Sequence, residues 1–111
     1  MRMLVFKDRS NRVIRIVLDD EGTRATAFHH DQQIGELRLE SDAHGNAASA
    51  TLLDLNVEPA YRRSGIAHTL LAFGCREMGR PISVDPDTFP SSLAFETLCR
   101  HLILEGILVH I

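Results

Sequence analysis

One short stretch of the chain places cations, a hydroxyl residue and a glycine at the start of a predicted helix. Arg62 and Arg63 are followed by Ser64 and Gly65, and an apolar segment begins at Ile66. The first turn of a helix leaves backbone N–H groups unpaired at the positive end of the helix dipole. Because two arginines stand beside this turn, the stretch is suited to bind an anion, and a pyrophosphate is the expected ligand.

A strand leads into this stretch. Residues 52–57 alternate in polarity and are rich in Leu and Val, and Pro59 ends the strand because it has no N–H for a ladder. A Walker-type nucleotide loop is disfavoured, since no Gly-Lys-Ser/Thr follows to reach terminal phosphates. A purely structural reading stays open, in which Gly65 is an ordinary loop glycine and the arginines are a solvated helix start.

The segment from Val57 to Ala67, VEPAYRRSGIA, resembles the acetyl-CoA signature of the GNAT (general N-acetyltransferase) superfamily, V-x-P-x-Y-R-x-x-G-x-G/A. In that family the R-x-x-G-x-G/A loop wraps the pyrophosphate of coenzyme A with main-chain amides. The resemblance covers roughly residues 33–105. It implies acetyl-CoA as co-substrate, bound by the end of the strand and the loop: Leu55, Asn56, Val57, Arg62, Arg63, Ser64, Gly65, Ile66 and Ala67.

The resemblance also implies a reaction, in which an amine acceptor attacks the thioester directly. The backbone of residues 55–57 would run beside the pantetheine arm, and the N–H of Val57 would polarise the thioester carbonyl. The attacking ammonium must first lose a proton, so Asp54 and Glu58 are the candidate catalytic carboxylates. Both are read equally well as exposed carboxylates at a strand end.

The general acid is where the sequence departs from the family. GNAT enzymes commonly place a tyrosine midway along the second helix, whereas residues 94–99 here read AFETLC and the only tyrosine, Tyr61, lies in the signature. The sequence therefore permits an N-acetyltransferase that uses water or Cys99, and also an acyl-CoA-binding or protein-interaction module without turnover. The apolar face around Cys99 favours core packing over acyl transfer.

Composition limits the other classes of function. The 111 residues, 44% of them hydrophobic, predict a single domain over residues 1–111. A net charge of −3 argues against a nucleic-acid surface, and no apolar run reaches membrane-spanning length. The two cysteines lack zinc or disulfide spacing and the N-terminal segment lacks a signal-peptide core, which together predict a cytoplasmic protein. The six histidines lack ligand spacing, so no metal is predicted.

The segments before the signature alternate in polarity, with a period of two. Their connections are too short for helical crossovers, so an antiparallel meander is expected. The predicted strands cover residues 3–7, 13–18, 23–29 and 34–40.

The segments after the signature change period. Helical spacing of apolar residues predicts a helix over 66–78, which Gly79 ends. A short strand at 82–85 follows a crossover and should run parallel to the signature strand. A second helix is predicted over 93–105, and a last strand over 107–111.

The predicted fold class is α+β or α/β, a GNAT-like mixed sheet with an antiparallel meander followed by β-α-β-α-β. The tight turn between Leu18 and Thr23 replaces the helix pair usual in the family, and no final strand follows Ile111. Those regions supply much of the family's acceptor groove, so the acceptor stays unidentified. A cationic partner is weakly favoured by four acidic residues, Asp54, Glu58, Asp85 and Asp87. A truncated sheet edge is often covered by a second copy, so a homodimer is expected.

Overall fold

A computed structural model describes residues 2–40, 50–79, 82–84, 99–100 and 102–110. Within these residues seven strands form one sheet, arranged side by side in chain order. One long helix, α1 (Ile66–Met78), connects β5 to β6. Residues 99–100 and 102–104 are also helical. The strands are β1 (Arg2–Lys7), β2 (Val13–Leu18), β3 (Arg24–His29), β4 (Gln32–Glu40), β5 (Ala50–Val57), β6 (Ile82–Val84) and β7 (Leu108–His110).

The first five strands form the predicted meander, and each pairs antiparallel with the next. The connection from β2 to β3 is a tight turn in which the Asp19 carboxylate accepts hydrogen bonds from the backbone N–H and the hydroxyl of Thr23, at 2.8 and 3.0 Å. The prediction that no helix pair separates these strands is therefore confirmed. An aspartate in a turn satisfies the backbone locally, which lets the chain reverse without further residues.

The hydrophobic core lies between one face of the sheet and α1. Alternate residues of β2 to β5 point into it, and from α1 it receives Ile66, Leu70, Leu71 and Phe73. Gly74 permits the close approach of helix and sheet, since a Cβ there would lie only 3.1 Å from the Leu37 side chain. Each large apolar side chain buried in this way stabilises the fold by about 1.5–3 kcal/mol.

Helix α1 has the predicted bounds. Its apolar residues recur at helical spacing, and it ends at Gly79, which adopts a left-handed backbone (φ +71°) and donates its N–H to the carbonyl of Cys75 at 2.9 Å. Only glycine adopts this conformation readily, which explains the stop. None of the described helices is long and apolar enough to cross a membrane.

The second half of the sheet is parallel. β6 pairs with β5 and β7 pairs with β6 in parallel register, as the crossover predicted. Leu102, in the helical part before β7, is buried in the same core as α1. The rest of the predicted second helix, residues 93–98, lies outside the described residues, and so do Asp85, Asp87 and Ile111.

The opposite face of β1 and β2 carries exposed apolar side chains. Met3 and Val5 of β1 are 57% and 55% exposed, and Val13 of β2 is 54% exposed. β1 is the terminal strand of the sheet. The homodimer expected from a truncated sheet edge stays a prediction.

Candidate functional site

Strand β5 is paired on both sides only at its beginning. β4 accompanies it from Thr51 to Val57, whereas β6 pairs with Ala50 and Thr51 alone. Within the described residues, the remainder of β5 therefore has one side without a partner strand. A strand side that is open in this way offers N–H and C=O groups to a ligand.

A bulge lies where β5 leaves β6. In the pairing with β4, Leu39 lies opposite Leu52 and Arg38 lies opposite Asp54, so Leu53 is an extra residue. A bulge bends the strand and increases its twist, so it directs the second half of β5 away from its parallel neighbour. Periodicity alone did not reveal this irregularity.

The backbone groups of Leu55 and Val57 face the open side. The N–H of Glu58 donates to the carbonyl of Ile34 on β4 at 2.8 Å. Since alternate residues of an antiparallel ladder bond to the same neighbour, Asn56 also faces β4, while Leu55 and Val57 face away from it. Consistently, the Val57 carbonyl accepts a hydrogen bond from Nε of Arg62 at 3.0 Å.

The loop after β5 is tightly curved. A 3₁₀ turn covers Pro59–Tyr61, and then Arg63 (φ +62°) and Gly65 (φ +88°) both adopt left-handed backbone conformations around Ser64. Ser64 is buried and its hydroxyl donates to the Tyr61 carbonyl. Backbone that alternates in hand turns successive N–H groups towards one concave side, which is an anion-binding arrangement.

Gly65 is the N-cap of α1 and has no side chain to satisfy the first turn. The first helical hydrogen bond to it comes from the N–H of Thr69, at 3.1 Å. In the described part of the chain, the N–H groups of residues 66–68 therefore have no protein acceptor. They point out of the helix at its positive dipole end.

The turn between β1 and β2 contacts this loop and supports it. Arg9 donates its N–H to the Ser64 carbonyl at 3.0 Å, and Arg12 donates from Nη1 to the Ala60 carbonyl at 3.2 Å. The Arg12 guanidinium also lies 4.1 Å from the centre of the Tyr61 ring. The opening hairpin thus fixes the loop through two residues, Arg9 and Arg12, that are remote from it in the sequence.

Asp8 holds that turn in place. Its buried carboxylate accepts hydrogen bonds from the backbone N–H groups of Ser10 and Arg12, each at 2.9 Å, and from Nε of Arg12 at 2.8 Å. Burial raises the pKa of Asp8, but these bonds and the charge of Arg12 outweigh burial, so the pKa lies below its ordinary value. Asp8 is therefore ionised at neutral pH and stabilises the turn.

Tyr61 makes a second contact that connects the loop to the sheet. Its hydroxyl lies 2.6 Å from Nδ1 of His29 at the end of β3, and the two rings meet edge to face. Tyr61 is packed against the core, with its hydroxyl at the rim. Tyr61 belongs to the signature, but no sequence pattern predicted His29 as its partner.

A cavity of about 300 Å³ separates the hairpin from the start of α1. Residues 6–9 line one side, and Ser64, Gly65, His68 and Thr69 line the other. The Nε2 atom of His68 lies 2.8 Å from the carboxylate of Glu105, so its position is fixed by the segment that precedes β7. Cationic residues and helix N–H groups thus meet at one cavity.

Comparison with known proteins supports the architecture. No family model and no curated protein matches this sequence. Among solved structures, a GNAT family acetyltransferase from Streptococcus pneumoniae TIGR4 is similar, with a TM-score of 0.59 and 21% sequence identity. The similarity covers 71% of this chain and 57% of that chain. The fold is GNAT-like.

In this GNAT-like fold the two candidate carboxylates lie apart from the cavity. Asp54 and Glu58 are exposed, and Asp54 lies opposite Arg38 on the neighbouring strand. Leu55 and Val57 pack against the core, so by strand alternation Asp54 and Glu58 project from the other face of the sheet. Any proton exchange between them and the open side of β5 would need water as an intermediate.

The remaining predicted groups are also placed. Cys99 packs against the core, in agreement with the packing role that its apolar surroundings favoured. Burial raises the pKa of the other cysteine, Cys75, which lies on α1. Across the residues that the structure describes, no group of three His, Cys, Asp or Glu side chains is placed to hold a metal ion.

Proposed function

We propose that the protein is an acyltransferase that binds acetyl-CoA and transfers the acetyl group to an amine by direct attack on the thioester. The observation that carries this proposal is the continuity of two backbone surfaces. The open side of β5 at Leu55 and Val57 is followed, after one 3₁₀ turn, by the curved loop from Arg62 to Gly65. A ligand with a peptide-like arm and a pyrophosphate matches both surfaces.

The loop would hold the phosphates of the cofactor. The unpaired N–H groups of residues 66–68 supply donors, and Arg62 and Arg63 supply positive charge nearby. Hydrogen bonds from such groups to an anion are stronger than those between neutral groups. Gly65 keeps the entrance clear, since it carries no side chain.

The open side of β5 would hold the pantetheine arm and the thioester. Nε of Arg62 donates a hydrogen bond to the carbonyl of Val57. The N–H of Val57 lies on the same side of the strand and would donate to the thioester oxygen. A preorganised donor at the oxygen where charge develops typically lowers the barrier by about 3–4 kcal/mol.

The reaction requires three proton movements. The acceptor ammonium loses a proton before its nitrogen attacks the carbonyl carbon, and the nitrogen loses a second proton as the amide forms. The C–S bond breaks to release a thiolate, which takes up a proton. Asp54 or Glu58 would take the first proton through water from the far face of the sheet. A thiol of pKa about 8.5 can leave without a positioned acid, which fits a site whose only tyrosine is hydrogen-bonded to His29.

A second function uses the same site without turnover. Asp54 and Glu58 do not line the cavity, and Tyr61 is engaged in holding the loop. These two observations favour an acyl-CoA-binding or protein-interaction module on the same scaffold.

Calorimetric titration with acetyl-CoA, together with an assay of free CoA release over polyamines, aminoglycosides and lysine-containing peptides, separates the two functions. Acyl transfer predicts binding and release with at least one amine, and binding without release supports the module. Gly65→Glu should abolish binding, since it places a carboxylate beside the N–H groups that are proposed to bind the phosphates. Unchanged affinity in that variant, or no binding by the wild type, would overturn both.

A further inference from the structure

The turn between β1 and β2 contributes a cation, Arg9, to the cavity at the start of α1. Arg9 follows Asp8 in this turn and lines the cavity opposite Gly65. Its Nε atom lies 3.9 Å from the position that a Cβ at residue 65 would occupy. The guanidinium is therefore beside the N-cap of α1, where an anion bound by the helix N–H groups would lie.

Within the described residues, Arg9 differs from its neighbour Arg12 in the pairing of its charge. Its neighbour Asp8 is buried and fully engaged by Arg12 and Ser10. Among the described residues no carboxylate forms an ion pair with Arg9, whereas Arg12 and Arg24 have such partners. At one wall of this cavity, a chain with a net charge of −3 thus has a guanidinium that no described carboxylate pairs with.

The backbone of Arg9 is held in place, although its side chain is exposed. Its N–H donates to the carbonyl of Ser64, so the backbone on both sides of the cavity is connected directly. The hydrogen bonds of Asp8 fix the residues before and after it. A guanidinium on a fixed turn loses less freedom on binding than one on a mobile surface segment.

We propose that Arg9 binds a phosphate group of the coenzyme A donor, so that the opening hairpin forms one wall of the cofactor site. This inference rests on the proposed function, because the ligand is the same. It adds a residue that lies more than forty positions before the signature and outside the segment whose sequence resembles the family. Arg9 acts in binding, and has no role in the acyl transfer itself.

The test measures the affinity of Arg9→Gln for CoA by calorimetry at two salt concentrations. Loss of one charge-assisted hydrogen bond to phosphate should weaken binding about tenfold at low salt, and the difference should shrink at high salt because ions screen the attraction. Arg15→Gln is the matched control. It removes the same charge from the same hairpin, but its guanidinium lies 5.2 Å from the Phe28 ring and does not line the cavity.

Shorter ligands identify the phosphate. If Arg9 binds the pyrophosphate, Arg9→Gln weakens CoA and dephospho-CoA equally. If it binds the 3′-phosphate, only CoA is affected, and either result supports the inference. Acetyl-pantetheine, which has no phosphate, should bind both proteins equally.

Two results would overturn the inference without touching the proposed function. In one, the wild type binds CoA and Arg9→Gln binds it with the same affinity. In the other, Arg9→Gln and Arg15→Gln weaken binding by the same factor, which would show only a general charge effect. Failure of the wild type to bind CoA would instead remove the proposed function itself.

Discussion

The two ends of α1 use a left-handed glycine for different purposes. Gly65 (φ +88°) precedes the helix and Gly79 (φ +71°) follows it. At the C-terminal end, the Gly79 N–H bonds to Cys75, and the Glu77 carbonyl accepts a hydrogen bond from Arg2 at 3.1 Å. At the N-terminal end, the N–H groups of residues 66–68 keep no protein acceptor in the described part of the chain.

The two ends of α1 therefore differ in how far the protein supplies hydrogen-bond partners for their backbone groups. At the C-terminal end, the carbonyls of Cys75 and Glu77 have protein donors. At the N-terminal end, Gly65 and His68 line a cavity that Arg9 also lines. Helix N–H groups without protein partners beside a cavity suit an anion, which is the role that the proposed function gives them.

Two turn aspartates offer the largest test of this contrast. Asp8 supports the hairpin beneath the start of α1, and Asp19 supports the turn that contains Gly22, which lies near Met78 at the other end. Asp8→Asn and Asp19→Asn should each lower the free energy of unfolding by about 2–3 kcal/mol at pH 7. Only Asp8→Asn should also weaken CoA binding. Equal loss of affinity in both variants would contradict the distinction between the two ends.

The pH dependence of these variants has a definite sign. For each carboxyl, burial raises the pKa, but hydrogen bonds lower it by a larger amount. Both pKa values therefore lie below normal in the folded state. A lowered pKa stabilises the fold above the unfolded value of about 3.9, and this contribution disappears as the pH falls through the folded value. The stability difference between wild type and each variant should therefore be constant near neutral pH and shrink below about pH 4.

Local patterns were sufficient to predict much of the fold. The bounds of β2 and α1 agree with the prediction, because alternation and helical spacing are local and Gly79 marks the helix end. The bulge at Leu53 and the contact between His29 and Tyr61 were not predicted. Both depend on residues that are brought together only by strand pairing.

The support beneath the loop could have been partly foreseen. Asp8 followed by Ser10 is typical of a turn in which an aspartate accepts backbone N–H groups. No local signal connects Arg9 or Arg12 with the signature more than forty residues later. The chemistry of the signature was readable from sequence, but its supporting residues depend on the path of the chain.

The two glycines provide the second test. Alanine at a left-handed position costs about 1–2 kcal/mol, and neither site is sterically blocked, so Gly65→Ala and Gly79→Ala should lose similar stability in urea denaturation. Only Gly65→Ala should reduce CoA affinity, by about tenfold if the loop relaxes. A Gly79→Ala protein that binds CoA as weakly as Gly65→Ala would show that the effect follows from strain and not from position.

The smallest expected effect concerns Tyr61, which connects the loop before the N-terminal end of α1 to the sheet. Tyr61→Phe removes the hydroxyl that lies 2.6 Å from His29 but keeps the ring under Arg12. Loss of one hydrogen bond should cost about 1 kcal/mol of stability and weaken CoA binding by a factor of about two to five.

Tyr61→Leu removes the ring as well and should be worse in both measurements, since the contact between the Arg12 guanidinium and the ring, 4.1 Å from its centre, is lost too. If Tyr61→Phe equals the wild type while Tyr61→Leu fails, the ring alone positions the loop and His29 contributes nothing. If both variants retain full CoA affinity, the loop is held by the bond from Arg9 to Ser64, and the open end of α1 depends on the opening hairpin alone.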